Sequence, residues 1–252
     1  MKYFCYIGCG VLTKEVCQEV TRTRAMVDLR FIPAGFHEQP AVLHQILQDE
    51  IDRIEAGVES KRKSPENPQE YEAILLGLGL CDNAIVGLQS RKIPLVVPRA
   101  HDCITILLGS AQRYHDIFQE NSGNFWYSCG WIERMLPPGA DREQQLCRNY
   151  RAKYGAENAA FLMTAEAEWQ KNYQSATFIH WDLPDNLKHR EYTRECASHL
   201  GWDFRELVGD PGLLRDLLSG NWDAGRFLQV NPGEQIRASF DERVITSQRI
   251  EN

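Results

Sequence analysis

No run of apolar residues in this chain of 252 approaches the ~20 positions that a membrane-crossing helix needs, so no membrane span is expected. The opening residues, Met1 to Cys5, pass straight into a strand pattern. They lack the long apolar stretch and small-residue cleavage site of a secretory leader, and a cytoplasmic location is expected. Basic residues are in deficit: 28 Lys and Arg stand against 35 Asp and Glu, a formal net charge of −7. A polyanion partner requires a basic face, so nucleic acid is not an expected partner. Cysteine, at 8 residues, falls well below the density of a disulfide scaffold. In a reducing compartment such cysteines read as metal ligands, catalytic thiols or small buried hydrophobes. Also missing are the Gly-x-Ser-x-Gly elbow, the phosphate-loop Gly-Lys-Ser/Thr and His-Glu-x-x-His. Their absence removes the commonest hydrolase and nucleotide-triphosphatase readings.

What is present reads as an ordinary globular composition, 43% hydrophobic and 25% charged, long enough to bury a core without staples. The first 130 residues alternate strand and helix signals. Phe4–Gly8, Met26–Ile32, Ile74–Leu76 and Leu95–Val97 read as strands, the last two continuous in apolar residues, as central parallel strands are. Val11–Arg22, Ala41–Ile54, a short Ala84–Leu88 capped by Asp82, and Ile104 to about Gln119 read as helices. Lys61 to Gln69 reads as a surface loop. The spacing predicts an α/β fold with a doubly wound, mainly parallel sheet. The first domain is expected over 1–130. Residues 131–252 form either a second α/β lobe or an elaboration of the same domain, with helices at Asp141–Tyr154 and Asn186–Leu200, and Phe227–Val230 and Ile236–Ser239 closing as a hairpin.

Pro98-Arg99-Ala100-His101-Asp102-Cys103 puts an imidazole, a carboxylate and a thiol within three consecutive positions at the end of a strand. Two other strand candidates also end at a cysteine, Cys9 and Cys81. Ligands in open α/β sheets gather beyond the carboxyl ends of the strands, so the three ends are expected to converge on one site. Thiolate and imidazole suit zinc, with iron or nickel as alternatives. Cys9, Cys81, His101 and Cys103 are the expected ligands, fewer than all of them direct, with Cys129 a further candidate. A helix starting at Asp102 is expected to lower the Cys103 thiol pKa through its dipole. Arg99 suits an anionic substrate group through its two-pronged donor geometry. His37, in the turn after the second strand, is the candidate acid/base or supporting partner. Asp102 joins His37 and Arg99 as a candidate catalytic group, or caps its helix. Tyr114, Trp126, Tyr127 and Trp131 are candidates to line an apolar pocket. His44 reads as solvent-facing. Cys5 and Cys17 read as packing residues, Cys147 and Cys196 as bystanders.

Cys9–Leu12 (Cys-Gly-Val-Leu), Leu76–Cys81 (Leu-Gly-Leu-Gly-Leu-Cys), Pro98–Cys103, Gly109-Ser110 with Tyr114, Gly123–Tyr127 and Gly209–Leu214 together resemble an uncharacterised family of similar length. Its members carry a domain of unknown function. The family occurs in methanogens and bacteria, often beside genes for corrinoid-dependent methyltransferases. One position departs from it: Leu78 stands where a tyrosine is expected between two glycines. The resemblance implies a setting in one-carbon metabolism and no mechanism.

The leading expectation is a metal-dependent enzyme, a transferase or lyase, acting on a small anionic substrate, for instance a thiol or methylated one, by activating a thiol toward methyl transfer or by polarising the substrate. Homo-oligomerisation is an open alternative, as is a corrinoid protein or methyltransferase as partner. Two rivals stand beside it. One is a metal-free thiol enzyme in which Cys9 and Cys81 exchange protons at carbon. The other is a non-enzymatic accessory protein that holds a corrinoid through His101, although the Asp-x-His-x-x-Gly loop usual for that role is absent.

Overall fold

A computed structural model describes residues 1–57 and 70–250; the Lys61–Gln69 segment lies outside the described residues. Strands β1 (Tyr3–Cys9), β2 (Met26–Ile32), β3 (Ala73–Gly77) and β4 (Leu95–Pro98) come first, with helices α1 (Thr13–Val20), α2 (Pro40–Glu55) and α3 (Cys103–Leu108). Helix α4 (Ala111–Glu120), β5 (Asn124–Tyr127), α5 (Cys129–Arg134), α6 (Ala140–Gln170), β6 (Ser175–His180), α7 (Asn186–Leu200) and β7 (Asp203–Val208) follow. Helix α8 (Gly212–Ser219) and strands β8 (Phe227–Val230), β9 (Glu234–Ala238) and β10 (Ile245–Arg249) end the described chain. The fold is mixed α/β with mainly parallel sheets. No helix among the described residues is long and apolar enough to cross a membrane.

Two compact units form, Met1–Ala111 with Asp210–Asn252, and Gln112–Gly209. They do not divide at residue 130. The chain leaves the first unit after α3 and returns to it, because β8 pairs antiparallel with β4. Residues 227–230 therefore complete the first sheet instead of forming a hairpin with 236–239. It is β9 and β10 that pair as a hairpin.

The first sheet runs β2-β1-β3-β4-β8, parallel except for β8. Its strands alternate sides with period two. Cys5, Ile7, Ile74, Leu76, Leu95 and Val97 face a core closed by Leu43, Leu47, Ile51 and Ile54 of α2. Phe4, Tyr6, Leu75 and Val96 lie on the other side and are fully buried. There α8 packs on β3, β4 and α1, burying Leu213, Leu214, Leu217 and Leu218. Glu19 of α1, itself buried, is held by Arg22 at 2.8 Å and by Arg215 of α8 at 2.9 Å.

Three helix expectations change. Residues 84–87 form turns and Leu88 no helix, because Cys81, Asp82 and Asn83 before them all take left-handed backbone angles (φ 45, 54 and 68°). The expected 104–119 helix is two helices, since Gly109 (φ 77°) ends α3. A Cβ at Gly109 would stand 2.7 Å from the Asp210 side chain. Helix α6 extends to Gln170, past a break in helical geometry at Gly155. The second unit carries its own parallel sheet, β5-β6-β7.

Glu55, at the end of α2, ties that helix to the turn before β4. Its carboxylate accepts from the Ser90 hydroxyl (2.7 Å) and from the N–H groups of Arg91, Lys92 and Ile93 (3.0, 2.7 and 3.0 Å). Burial pushes its pKa up, and these hydrogen bonds outweigh that to hold it below the ordinary glutamate value. A depressed pKa means stability present above the unfolded pKa of about 4.3 and lost as pH falls through the folded value. Glu55→Ala is expected to cost about 2 kcal/mol at pH 7. In urea denaturation the gap from wild type should narrow below about pH 4. A gap independent of pH would show that the charge contributes nothing.

Candidate thiol site at the strand tips

The strand order 2-1-3-4 places the reversal of winding between β1 and β3, where open α/β sheets bind ligands beyond the carboxyl ends. Cys9 is the last residue of β1. It is half-buried and is followed by the buried Gly10. Cys81 lies four residues beyond β3, also half-buried. Cys103 opens α3, just beyond β4, at a similar depth.

The β3 and β4 tips are joined through main chain. Leu80 N–H donates to Ala100 C=O (2.8 Å), and Cys81 N–H donates to His101 C=O (3.0 Å). Gly79 makes this approach possible. A Cβ there would lie 2.5 to 2.7 Å from Asp102 N, Asp102 Cα and His101 C, all of them backbone atoms. Immediately afterwards come the three left-handed residues 81–83. Non-glycine residues in that region carry strain of about 1–3 kcal/mol each, and such strain collects at functional sites. Asp102 caps α3, accepting from Thr105 N–H at 3.0 Å and from the Thr105 hydroxyl at 3.4 Å.

The electrostatics of this rim are those of crowded acids. Burial pushes the Cys81 thiol up to about 12, and the charges of Cys9, Asp102 and Asp82 push in the same direction. Cys103 is raised well above the ordinary thiol value, first by burial and then by Cys9, Asp102 and Cys81. The expected lowering of the Cys103 pKa by the helix dipole is overridden, because desolvation and neighbouring anions exceed a dipole term of about 0.3–1 kcal/mol. Asp102 is also raised by burial, against the Thr105 and Ile104 N–H groups and His101. Cys81 thus lies close enough to Cys9 to feel its charge, and Cys103 close enough to feel both. Among the described residues, however, no three His, Cys, Asp or Glu side chains are gathered so as to hold a metal ion.

The remaining candidates are placed elsewhere. His101 is exposed, and its carbonyl, not its ring, meets Cys81. Arg99 turns away from the thiols. Its Nε donates to Ala224 C=O (2.9 Å), and its Nη1 donates to the carbonyls of Arg243 and Ile245. It fastens the end of the first unit, so the expected salt bridge to an anionic substrate has no support in its geometry. His37 sits half-buried in the turn after β2, beyond the left-handed Gly35. His44 bonds the Ala84 carbonyl at 3.0 Å instead of facing solvent. Cys129 belongs to the second unit, buried, with its thiol 3.6 Å from Asn186 Oδ1. Tyr114, Trp126, Tyr127 and Trp131 belong to the second unit as well. There Tyr114 and Trp126 pack ring to ring, and the buried Tyr127 donates to Pro138 C=O at 2.7 Å. Cys5 is buried as expected, whereas Cys17 is exposed.

One residue of the site escaped the sequence reading. Tyr6 is fully buried, and its ring lies across Gly8 and Gly77, where a Cβ on either would collide with it. The signal was available. Residues 6 and 8 share a sheet face, and a large side chain opposite two glycines marks a slot.

Gly79→Ala is expected to drive the two strand-tip loops apart. It should lower stability by about 1–3 kcal/mol and speed thiol-reagent labelling of Cys81 and Cys103. Denaturation and labelling kinetics unchanged from wild type would show that the close approach is dispensable.

A comparison with curated proteins, and one with solved structures, returns no match. A family model, described as a protein of unknown function (DUF1638), matches residues 31–218. That span includes two of the three strand tips and most of the blocks that carried the resemblance, and this chain belongs to the DUF1638 family.

Proposed function

We propose that the rim at Cys9, Cys81 and Cys103 is the active site of an enzyme that moves protons at carbon on a small molecule, with thiols as acid and base. The observation that carries this reading is the gathering of three half-buried cysteines at the strand tips of the sheet's switch point, where Cys81 is raised by Cys9 and Cys103 by both. Once one sulfur is ionised, its charge keeps the other two protonated. The rim then holds one base beside two acids at the same pH, the division of labour that proton transfer requires. The thiolate takes a proton from a substrate carbon and becomes a thiol. A second thiol returns a proton to that carbon and becomes the thiolate. The charge of the site is conserved and nothing is oxidised or reduced.

The acids also bear on the substrate. The rim's acids include Cys9, Cys81, Asp82, Asp102 and Cys103, beside the exposed His101, and Arg99 is engaged elsewhere. A rim of this sign favours a neutral or cationic molecule over the anionic one expected from Arg99.

The rival zinc reading, with iron or nickel as alternatives, draws on the same sulfurs, whose donor chemistry is right for a soft ion. As they stand the side chains do not gather three donors, and no step is assigned to a metal. A corrinoid reading draws on His101 alone, and a methyltransferase partner on the family resemblance alone.

Two measurements test the proposal. Protein purified without chelator should contain well under one equivalent of zinc, iron and nickel by elemental analysis. Stoichiometric metal that disappears in Cys81→Ser would replace the thiol reading with the metal one. In wild type, iodoacetamide at pH 8 should label one of the three thiols first, and Cys9→Ser, which removes a charge that raises Cys81 and Cys103, should speed the labelling of those two. Equal labelling of all three would remove the one-base, two-acid arrangement.

A further inference from the structure

The thiol reading leaves open which of the three sulfurs carries the charge. Tyr6 bears on this. It sits on β1 with no exposed surface. Its ring crosses Gly8, the last residue but one of β1, and Gly77, the last of β3. The hydroxyl is therefore held at the height of the strand tips, beside the chain leading into Cys9. Its lateral freedom is small, because the two glycines form the slot and the strands around it are fully buried. Despite this depth, the hydroxyl has no hydrogen-bond partner among the described residues. Buried polar groups are almost always paired, and an orphan calls for an explanation in its role. Burial holds the phenol in its protonated form. Among the ionisable groups around it Cys9 acts on it most strongly, followed by Glu15 and Cys17 of α1. The slot thus contains an O–H donor awaiting an acceptor, with Cys9 the ionisable group that acts on it most. A neutral thiol is a weak acceptor, and a thiolate is a strong one.

We propose that Tyr6 is a positioning residue of this site, and that its hydroxyl donates a hydrogen bond to Cys9 Sγ when that sulfur is the thiolate. The proposal rests on the thiol reading above and adds the identity of the resting base. Cys9 is stabilised as the anion from beneath, while Cys81 and Cys103 remain the proton donors. It also gives both glycines a purpose. A side chain at position 8 or 77 would displace the phenol from the strand tips.

The test is the pH profile of alkylation by iodoacetamide, resolved at each cysteine by mass spectrometry from pH 6 to 10, in wild type and Tyr6→Phe. Phenylalanine keeps the ring and removes only the hydroxyl. In wild type Cys9 should react at lower pH than Cys81 and Cys103. In Tyr6→Phe the Cys9 profile should move up by about one pH unit, so that labelling at pH 8 slows about tenfold. The other two profiles should stay where they were. Thermal stability should hold or rise, because an unpaired buried hydroxyl is gone. A merely structural tyrosine would change stability and leave Cys9 alone, which overturns the proposal. So does an unmoved Cys9 profile combined with altered behaviour of Glu15→Gln, which would assign the hydroxyl to that carboxylate. Equal shifts of all three thiols would indicate a disturbed fold and also sink it. None of these outcomes removes the thiol reading, which fails separately through the metal analysis and the labelling of wild type.

Discussion

Two main-chain hydrogen bonds, from Leu80 to Ala100 and from Cys81 to His101, hold the site together. They lie beyond the last residues of β3 and β4, where a parallel sheet would normally let its strands part into separate loops. They bring the sulfur that follows β3 toward the one that follows β4. The approach is close enough that only a residue without Cβ fits at position 79. The strain of three left-handed residues after Leu80 accompanies the same contact. It is tolerated because the apolar core beneath, with Leu76, Leu78, Ile85 and Leu88 in one cluster, fixes the loop at both ends.

Crowding acids at such a rim has an electrostatic consequence. Desolvation and like charge act in the same direction on Cys81 and Cys103, and the capping bonds to Asp102 only partly offset burial of that carboxyl. The exposed His101 partly relieves Asp102, while Arg99 is spent on three carbonyls of the returning chain. The rim therefore accepts little negative charge at once. This is the physical basis for assigning one thiolate and two thiols, and for a substrate that is not an anion.

Much of the scaffold was legible in the sequence, because burial and periodicity leave local marks. Met26–Ile32 and Asn186–Leu200 match observed elements residue for residue, and α2 differs from its expected span by one residue at each end. The departures share a cause. Residues 84–88 have a helical pattern, yet the backbone before them is forced into left-handed angles by the contact between the two loops. The pairing of β8 with β4 joins segments more than a hundred residues apart, and nothing local in either strand announces it.

For the site, the chain's residue order was sufficient to fix three cysteines at or just beyond the tips of parallel strands, because strand ends and glycine breaks are local properties. Side-chain direction was beyond its reach. Arg99 and His101 are two residues apart, yet one is fastened to carbonyls of the returning chain and the other lies exposed, a choice made by packing against residues 224–245. The raised thiols likewise depend on burial and on charges brought from three strands, and neither exists until the sheet has closed. The phenol of Tyr6 belongs to both levels: its alternation with Gly8 is written in β1, and its slot is completed only when β3 docks alongside.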